Sequence, residues 1–314
     1  DSMLVQWPSG KAQKLYSIKG NKILNLYEKD ARSKNRIKHK SKIPIFNDYT
    51  EKITPKIFHK ENIFNDFNRE PLIPYMLSNE GPALAVADIN LDGFQDLFLG
   101  SSSFNKSRIF MGSENGNFSL VHNHEIYNDS LSEDVDALFF DADNDKDLDL
   151  YVVSGGNEFP LRYKSIRDRL YILNDKGIYE LDTFSLPKIY QNGSIVRASD
   201  FDNDGDVDLF LGGRSIPGKY GFPPKHYLLE NDGKGKFRIN DKITFENQGM
   251  VTDATWVDID NDGWMDLFVC GDWSDIKFYK NIQGSLIEDN KNYKLNKNGW
   301  WFSIKSADVN NDGL

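Results

Sequence analysis

An acidic loop that recurs along the chain constrains its fold more than any other feature. Ser199 to Gly213 reads SDFDNDGDVDLFLGG, with five aspartates in one short polar turn followed at once by an apolar run. Close copies are ADINLDGFQDLFLG from Ala87, FDADNDKDLDLYVV from Phe140 and VDIDNDGWMDLFVC from Val257; a fifth, ADVNNDGL, begins at Ala307. The first aspartates, Asp88, Asp141, Asp200, Asp258 and Asp308, follow one another at 53, 59, 58 and 50 residues. Such a period marks a repeat architecture.

Each unit contains four strand-like runs. In the third, VRAS precedes the loop, DLFLGG follows it, and HYLLE leads through NDGKGK into a strand from Phe237. Four antiparallel strands every fifty-odd residues describe a propeller blade, whose edges are covered by neighbouring blades. The expectation is an all-β chain, a β-propeller with four nearly complete blades and a fifth begun, forming part of a larger ring.

The loop spacing has a chemical reason. With glycine at position 6 turning the backbone, side chains at positions 1, 3, 5 and 9 point inward and the position 7 carbonyl adds an oxygen, an all-oxygen cage for a hard cation. The ligands expected in the first loop are Asp88, Asn90, Asp92 and Asp96 with the carbonyl of Phe94. In the second they are Asp141, Asp143, Asp145 and Asp149 with Asp147, and Lys146 replaces the glycine, which predicts a strained turn. The third uses Asp200, Asp202, Asp204 and Asp208 with Asp206; the fourth uses Asp258, Asp260, Asp262 and Asp266 with Trp264; the fifth begins with Asp308, Asn310 and Asp312.

Calcium suits these flexible, carboxylate-rich loops better than magnesium, which keeps its waters. Transition metals would call for His or Cys, which the loops lack. Four to five structural calcium ions are expected. An EF-hand would need a bidentate Glu at position 12, where this chain has Leu99, Val152, Leu211 and Val269.

From about Ala83 onward the chain resembles the FG-GAP or VCBS repeats of integrin-like propellers. Ahead of it, VQWPSGKAQKL resembles the tryptophan-proline-serine-glycine signature of the ASPIC/UnbV domain, a module found beside calcium-binding propellers in bacterial outer-surface proteins. SMLVQW, AQKLYSI and NKILNLYE read as three strands separated by turns. Residues 1–30 are therefore expected to be the C-terminal part of a small β-domain whose beginning is missing, 31–45 a basic linker, and 46–314 a propeller incomplete at its C-terminus. The stretch Phe46 to Pro82 is irregular and aromatic. His59, Glu61 and Asp66 lie close in sequence, but without a second His or a Cys nearby they read as surface polar groups of a loop over the propeller edge.

Composition closes off several functions. A net charge of -10 argues against a nucleic-acid partner. No run of 18 apolar residues suggests a membrane-spanning helix; DSMLVQW lacks the features of a secretory signal, which decides little because the chain reads as beginning partway through a domain. One cysteine, Cys270, excludes an internal disulfide and reads as a buried thiol.

If calcium is structural, function belongs to the loops that follow each DLF-type strand, at the opposite end of the blades. Their polar and aromatic members are Asn157, Glu158, Arg162, Arg214, Tyr220, Asp272 and Trp273. Such a mouth suits a glycan, peptide or protein. No nucleophile elbow, zinc-protease helix or phosphate-binding glycine loop is present; Glu158 and Asp272 are the one pair imaginable as the carboxylates of a glycoside hydrolase or lyase. The chain is expected to be a non-enzymatic binding or accessory protein on the extracellular side or the bacterial outer-membrane surface. Its expected role is to capture a ligand for an outer-membrane transporter complex, with adhesion as the alternative.

Overall fold

The structure is a computed structural model that describes residues 2–34, 46–245, 248–295 and 297–310. It comprises two compact units, Asp1–Tyr49 and Thr50–Leu314. Most of the expected linker, 35–45, lies outside the described residues.

In the first unit, β1 (Ser2–Gln6) and β2 (Lys11–Tyr16) form an antiparallel hairpin in which Gln6 faces Ala12. Trp7 and Pro8 occupy its turn, closed by the Gly10 N–H on the Trp7 carbonyl at 2.8 Å. Gly10 has φ +81, a conformation costly for any residue with a Cβ. The third strand is not where the sequence suggested. Asn21 to Tyr27 carries no strand, and β3 (Ser33–Lys34) pairs with β2 instead. Ile23 and Leu24 are exposed, so the apolar alternation of NKILNLYE had no face to bury.

The second unit opens with β4 (Ile53–Thr54) and then builds four antiparallel sheets in chain order. The first holds β5 (Leu84–Ala87), β6 (Asp96–Leu99), β7 (Arg108–Met111) and β8 (Phe118–Val121), with β4 parallel to β8 at its outer edge. The second holds β9 (Glu133–Phe140), β10 (Asp149–Gly155), β11 (Arg169–Leu173) and β12 (Tyr179–Asp182). The third holds β13 (Asn192–Ser199), β14 (Asp208–Ser215), β15 (Tyr227–Glu230) and β16 (Arg238–Ile239). The fourth holds β17 (Met250–Val257), β18 (Asp266–Ser274), β19 (Lys277–Asn281) and β20 (Leu286–Glu288), and β21 (Gly299–Trp300) pairs with the end of β18. These are the blades of an all-β propeller. Residues 301–308, expected to start a fifth blade, form no strand.

The apolar runs after each acidic loop are continuous because both faces of the second strand are buried. Leu150 and Val152 of β10 join Phe98 and Ile109 of the first blade, while Tyr151 and Val153 join Val196, Leu209 and Leu211 of the third. Phe210 of β14 points the other way, toward Val251, Leu267 and Val269 of the fourth. Side chains alternate across a strand, so one run contributes to two cores. Full burial of each such side chain stabilises by about 1.5–3 kcal/mol. Cys270 is buried in β18, and burial pushes its thiol pKa up.

Ion pairs join the inner strands. Arg197 of β13 binds Asp136 of β9 at 2.7 Å and also pairs with Asp253 of β17, while its Nε donates to the Ala254 carbonyl at 3.0 Å. One guanidinium thus ties three consecutive blades together.

Candidate metal centres

Each acidic loop joins the first and second strands of its blade and repeats one hydrogen-bond pattern. The position 1 carboxylate accepts the position 6 N–H: Gly93 on Asp88 at 2.8 Å, Lys146 on Asp141 at 3.0 Å, Gly205 on Asp200 at 3.0 Å, Gly263 on Asp258 at 2.8 Å. The position 5 carboxylate accepts the N–H of position 7, as Phe94 on Asp92, Asp147 on Asp145, Asp206 on Asp204 and Trp264 on Asp262. The position 9 aspartate starts the second strand and accepts two backbone N–H groups. Asp149, for example, takes Ala142 N–H and Leu173 N–H, both at 2.9 Å. These bonds fold the carboxylates over one centre.

The second loop keeps this turn despite Lys146, whose φ of +78 places a side-chain-bearing residue in the left-handed region. Strain is therefore present there, as the sequence suggested.

Oxygen atoms of Asp141, Asp143 and Asp149 lie within 4.8 Å of one another, as do those of Asp200, Asp202 and Asp208, and of Asp258, Asp260 and Asp262. The first loop has Asn90 at position 3, where the others have aspartate, so its side-chain ligands are Asp88, Asp92 and Asp96 with an amide oxygen. Fit to a cation is supported by buried oxygens without any hydrogen-bond partner: Asp141 Oδ1, Asp143 Oδ1 and Asp202 Oδ1. Burial, and then the neighbouring carboxylates, push Asp149 and Asp208 up to about 7 against the hydrogen bonds they accept. Asp96, Asp143, Asp202 and Asp266 are also raised, by burial first, and Asp147 reaches about 6 for the same reason. The fourth loop differs, because Lys280 of β19 pairs with Asp260 and reaches Asp262 at 3.0 Å. Its hydrogen bond holds the Asp262 carboxyl below the usual range. Three aspartate clusters, those of the second, third and fourth blades, can hold metal ions, and in the fourth the Lys280 ammonium already pairs with two of the carboxylates. Asp308 and Asn310 are exposed, and Asp312 lies outside the described residues.

The loops of adjacent blades also touch. Asn144 Nδ2 donates to Asp206 at 2.6 Å and Asn203 Nδ2 to the Gly263 carbonyl at 3.0 Å. The Asp206 side chain therefore latches two blades while its carbonyl is the group expected to serve an ion.

A family model described as FG-GAP-like repeat matches residues 88–152, 141–211, 200–269 and 258–314, more than half of the chain. The chain belongs to the FG-GAP-like repeat family. Each of the first three matches runs from position 1 of one acidic loop to position 12 of the next, so an FG-GAP-like repeat here begins and ends on the candidate metal loop. No curated protein matches the chain.

At the far end of these FG-GAP-like blades, the expected open ring of ligand-binding residues requires correction. Arg214 is 3% exposed and Asp272 fully buried. Arg214 binds Glu80 at 2.8 and 2.9 Å, Asp272 at 2.9 Å, and the Tyr75 hydroxyl. Asp272 also accepts Tyr75 OH at 2.5 Å and Tyr220 OH at 3.0 Å. Asn157 is fully buried and donates to Glu70 at 2.7 Å, and Glu158 accepts Asn62 Nδ2 at 2.9 Å. Glu70 further accepts the N–H groups of Tyr220 at 2.8 Å and Gly218 at 3.2 Å. Residues 60–80, irregular in sequence, therefore cover this face and satisfy its charges. Of the seven candidates, Arg162 and Trp273 stand in solvent.

One signal in the repeats bears on this pairing. Arg214 and Asp272 each follow the first loop aspartate by fourteen residues, Asp200 and Asp258, so neighbouring blades place opposite charges side by side. The covering segment gave no such signal. Its His59 binds Glu61 at 2.5 Å, while Asp66, expected on the surface, is fully buried and accepts Ser78 Oγ at 2.5 Å.

An aromatic group remains uncovered. Trp273 is 61% exposed with φ +58, and its ring lies 4.8 Å from that of Trp300, which stacks on Tyr75 at 5.8 Å and on Phe302 at 6.3 Å. Trp300 and Phe302 were not among the expected residues, and no repeat offset marks them.

Proposed function

We propose that this chain is a calcium-stabilised, non-enzymatic binding module that works outside the cytoplasm. Its role is that of a bacterial surface component presenting a glycan, peptide or protein ligand to an outer-membrane complex. The resemblance of its first unit to an ASPIC/UnbV module fits that setting, as does the use of FG-GAP-like repeats by extracellular proteins. Among the described residues no helix is long and apolar enough to cross a membrane.

The observation that carries the binding reading is the exposed cluster of Trp273, Trp300 and Phe302 at the end of the fourth blade, away from its acidic loop. Flat aromatic faces beside buried polar groups suit sugar rings or aromatic-rich peptide surfaces, and large exposed apolar groups mark contact sites. Hydrolysis is disfavoured because Asp272 is held by an arginine and two tyrosines rather than poised toward a substrate. Adhesion to a matrix protein would use the same face.

The test has two arms. Chelating calcium from the full chain is expected to lower its melting temperature, and an unchanged melt in excess chelator rejects the structural role of the ion. Trp273→Ala is expected to abolish retention of cell-surface glycans or peptides on the immobilised chain while leaving the melt in place. Equal retention by variant and parent would remove the aromatic cluster from the argument.

A further inference from the structure

A second group of bare oxygens lies outside the acidic loops, with Glu61 and Asn62 ahead of the FG-GAP-like repeats and Ser103, Glu133 and Glu158 within them. Glu61 Oε2, Asn62 Oδ1, Ser103 Oγ, Glu133 Oε1 and Glu158 Oε2 are all buried and without a hydrogen-bond partner. They come from the covering segment, the loop after β6, the start of β9 and the loop after β10. Glu133 is 1% exposed and Ser103 fully buried.

Each carboxylate is anchored by one oxygen and bare at the other. Glu61 Oε1 is held by His59 Nε2 at 2.5 Å, Glu133 Oε2 by the Ser103 N–H at 2.8 Å, and Glu158 Oε1 by Asn62 Nδ2 at 2.9 Å. The segments are pinned together by Ser102 Oγ and Asn105 Nδ2, which donate to the Lys60 carbonyl at 2.7 and 3.0 Å. Glu158 and Glu61 are the carboxylates whose charge bears most on Glu133. Glycines keep the space clear. A Cβ on Gly156, which has φ +83, would run into Glu158 Oε2, and one on Gly81 would come within 3.2 Å of Glu133 Oε1.

Among the described residues no Lys or Arg pairs with Glu61, Glu133 or Glu158; His59 is the basic group that touches them. Buried carboxylates without a counter-charge are costly. Orientation of a carboxylate by a hydrogen bond to its second oxygen is how proteins aim metal ligands. Carboxylate, amide and hydroxyl oxygens select a hard cation.

We propose that Glu61, Asn62, Ser103, Glu133 and Glu158 form a buried divalent-cation site of the oxygen-rich kind that takes calcium, clamping the covering segment onto the first two blades. Among the described residues, oxygens of Glu61, Glu133 and Glu158 are not all within 4.8 Å of one another as those of the loop clusters are, so ion binding draws them together. The site is independent of the loop ions and of the aromatic face.

The test counts bound calcium in the full chain, stripped and then reloaded with calcium chloride, by elemental mass spectrometry. Glu133→Gln is expected to bind one ion fewer than the parent, and combining it with Asp200→Ala to lower the count by one more than Asp200→Ala does alone. Crystals of the parent grown with manganese are expected to show an anomalous peak about 2.2–2.6 Å from the three carboxylates. A full complement of calcium in Glu133→Gln, or a parent crystal without that peak, overturns the site and leaves a shared proton as the counter-charge. Filled blade loops with an empty clamp reject this proposal alone; the reverse pattern rejects the loop ions alone.

Discussion

Lys146 and Lys280 show how single side chains set apart loops that otherwise share one backbone. Lys146 holds the left-handed conformation that Gly93, Gly205 and Gly263 hold at the same loop position. For a residue with a Cβ that conformation costs about 1–2 kcal/mol. Lys146→Gly is therefore expected to raise the melting temperature by about 2–4 °C per kcal/mol recovered, read by calorimetry with and without calcium. At the fourth loop Lys280 is a tethered ammonium that pairs with Asp260 and Asp262, two of the carboxylates expected to hold an ion. His226 is a different case. Its Nδ1 accepts the Gly213 N–H at 3.0 Å, and burial lowers its pKa from 6.5 to about 4. Because the folded value lies below the unfolded one, its contribution is complete above about pH 6.5 and is lost as pH falls toward 4. The loss amounts to about 3 kcal/mol. His226→Asn, which keeps an acceptor without a basic nitrogen, is expected to flatten that part of the stability profile; a profile identical to the parent's would assign the acid limb to other groups.

At the scale of elements, the second strands do two tasks. Their apolar middles build adjacent cores, and their ends carry Arg214 and Asp272 to the covered face. From sequence these charged ends read as a ligand site whose loss would spare the fold. The structure reverses that expectation, because removing Arg214 would leave the buried Asp272 and the half-buried Glu80 without their cation. Arg214→Ala is accordingly expected to destabilise by about 3–5 kcal/mol, measured by denaturant unfolding. Loss of less than 1 kcal/mol would mean the network relaxes into water. Leu99, Val152, Leu211 and Val269 were legible as strand residues because their apolar runs leave no place for an EF-hand ligand. The third strand of the first unit was misread because alternation alone does not provide a partner to bury against.

For the whole molecule, the charge of -10 sits largely in the repeated loops, so bound ions act on the row of blades as well as on each turn. Four divalent ions would offset about eight of those charges. The calcium-free chain should therefore gain melting temperature when salt rises from about 0.1 to 1 M, as the screening length shortens from about 10 to 3 Å. The calcium-loaded chain should respond much less, and equal responses would show that the ions act only through local geometry. The sequence by itself determined the blade, because a fixed spacing of loop aspartates and a strand buried on both faces are local patterns that repeat. What only the tertiary structure decided is which polar groups are free. Burial and pairing depend on neighbours far along the chain, so Arg214 meets Glu80 and Glu158 meets Asn62 through contacts that no local spacing encodes.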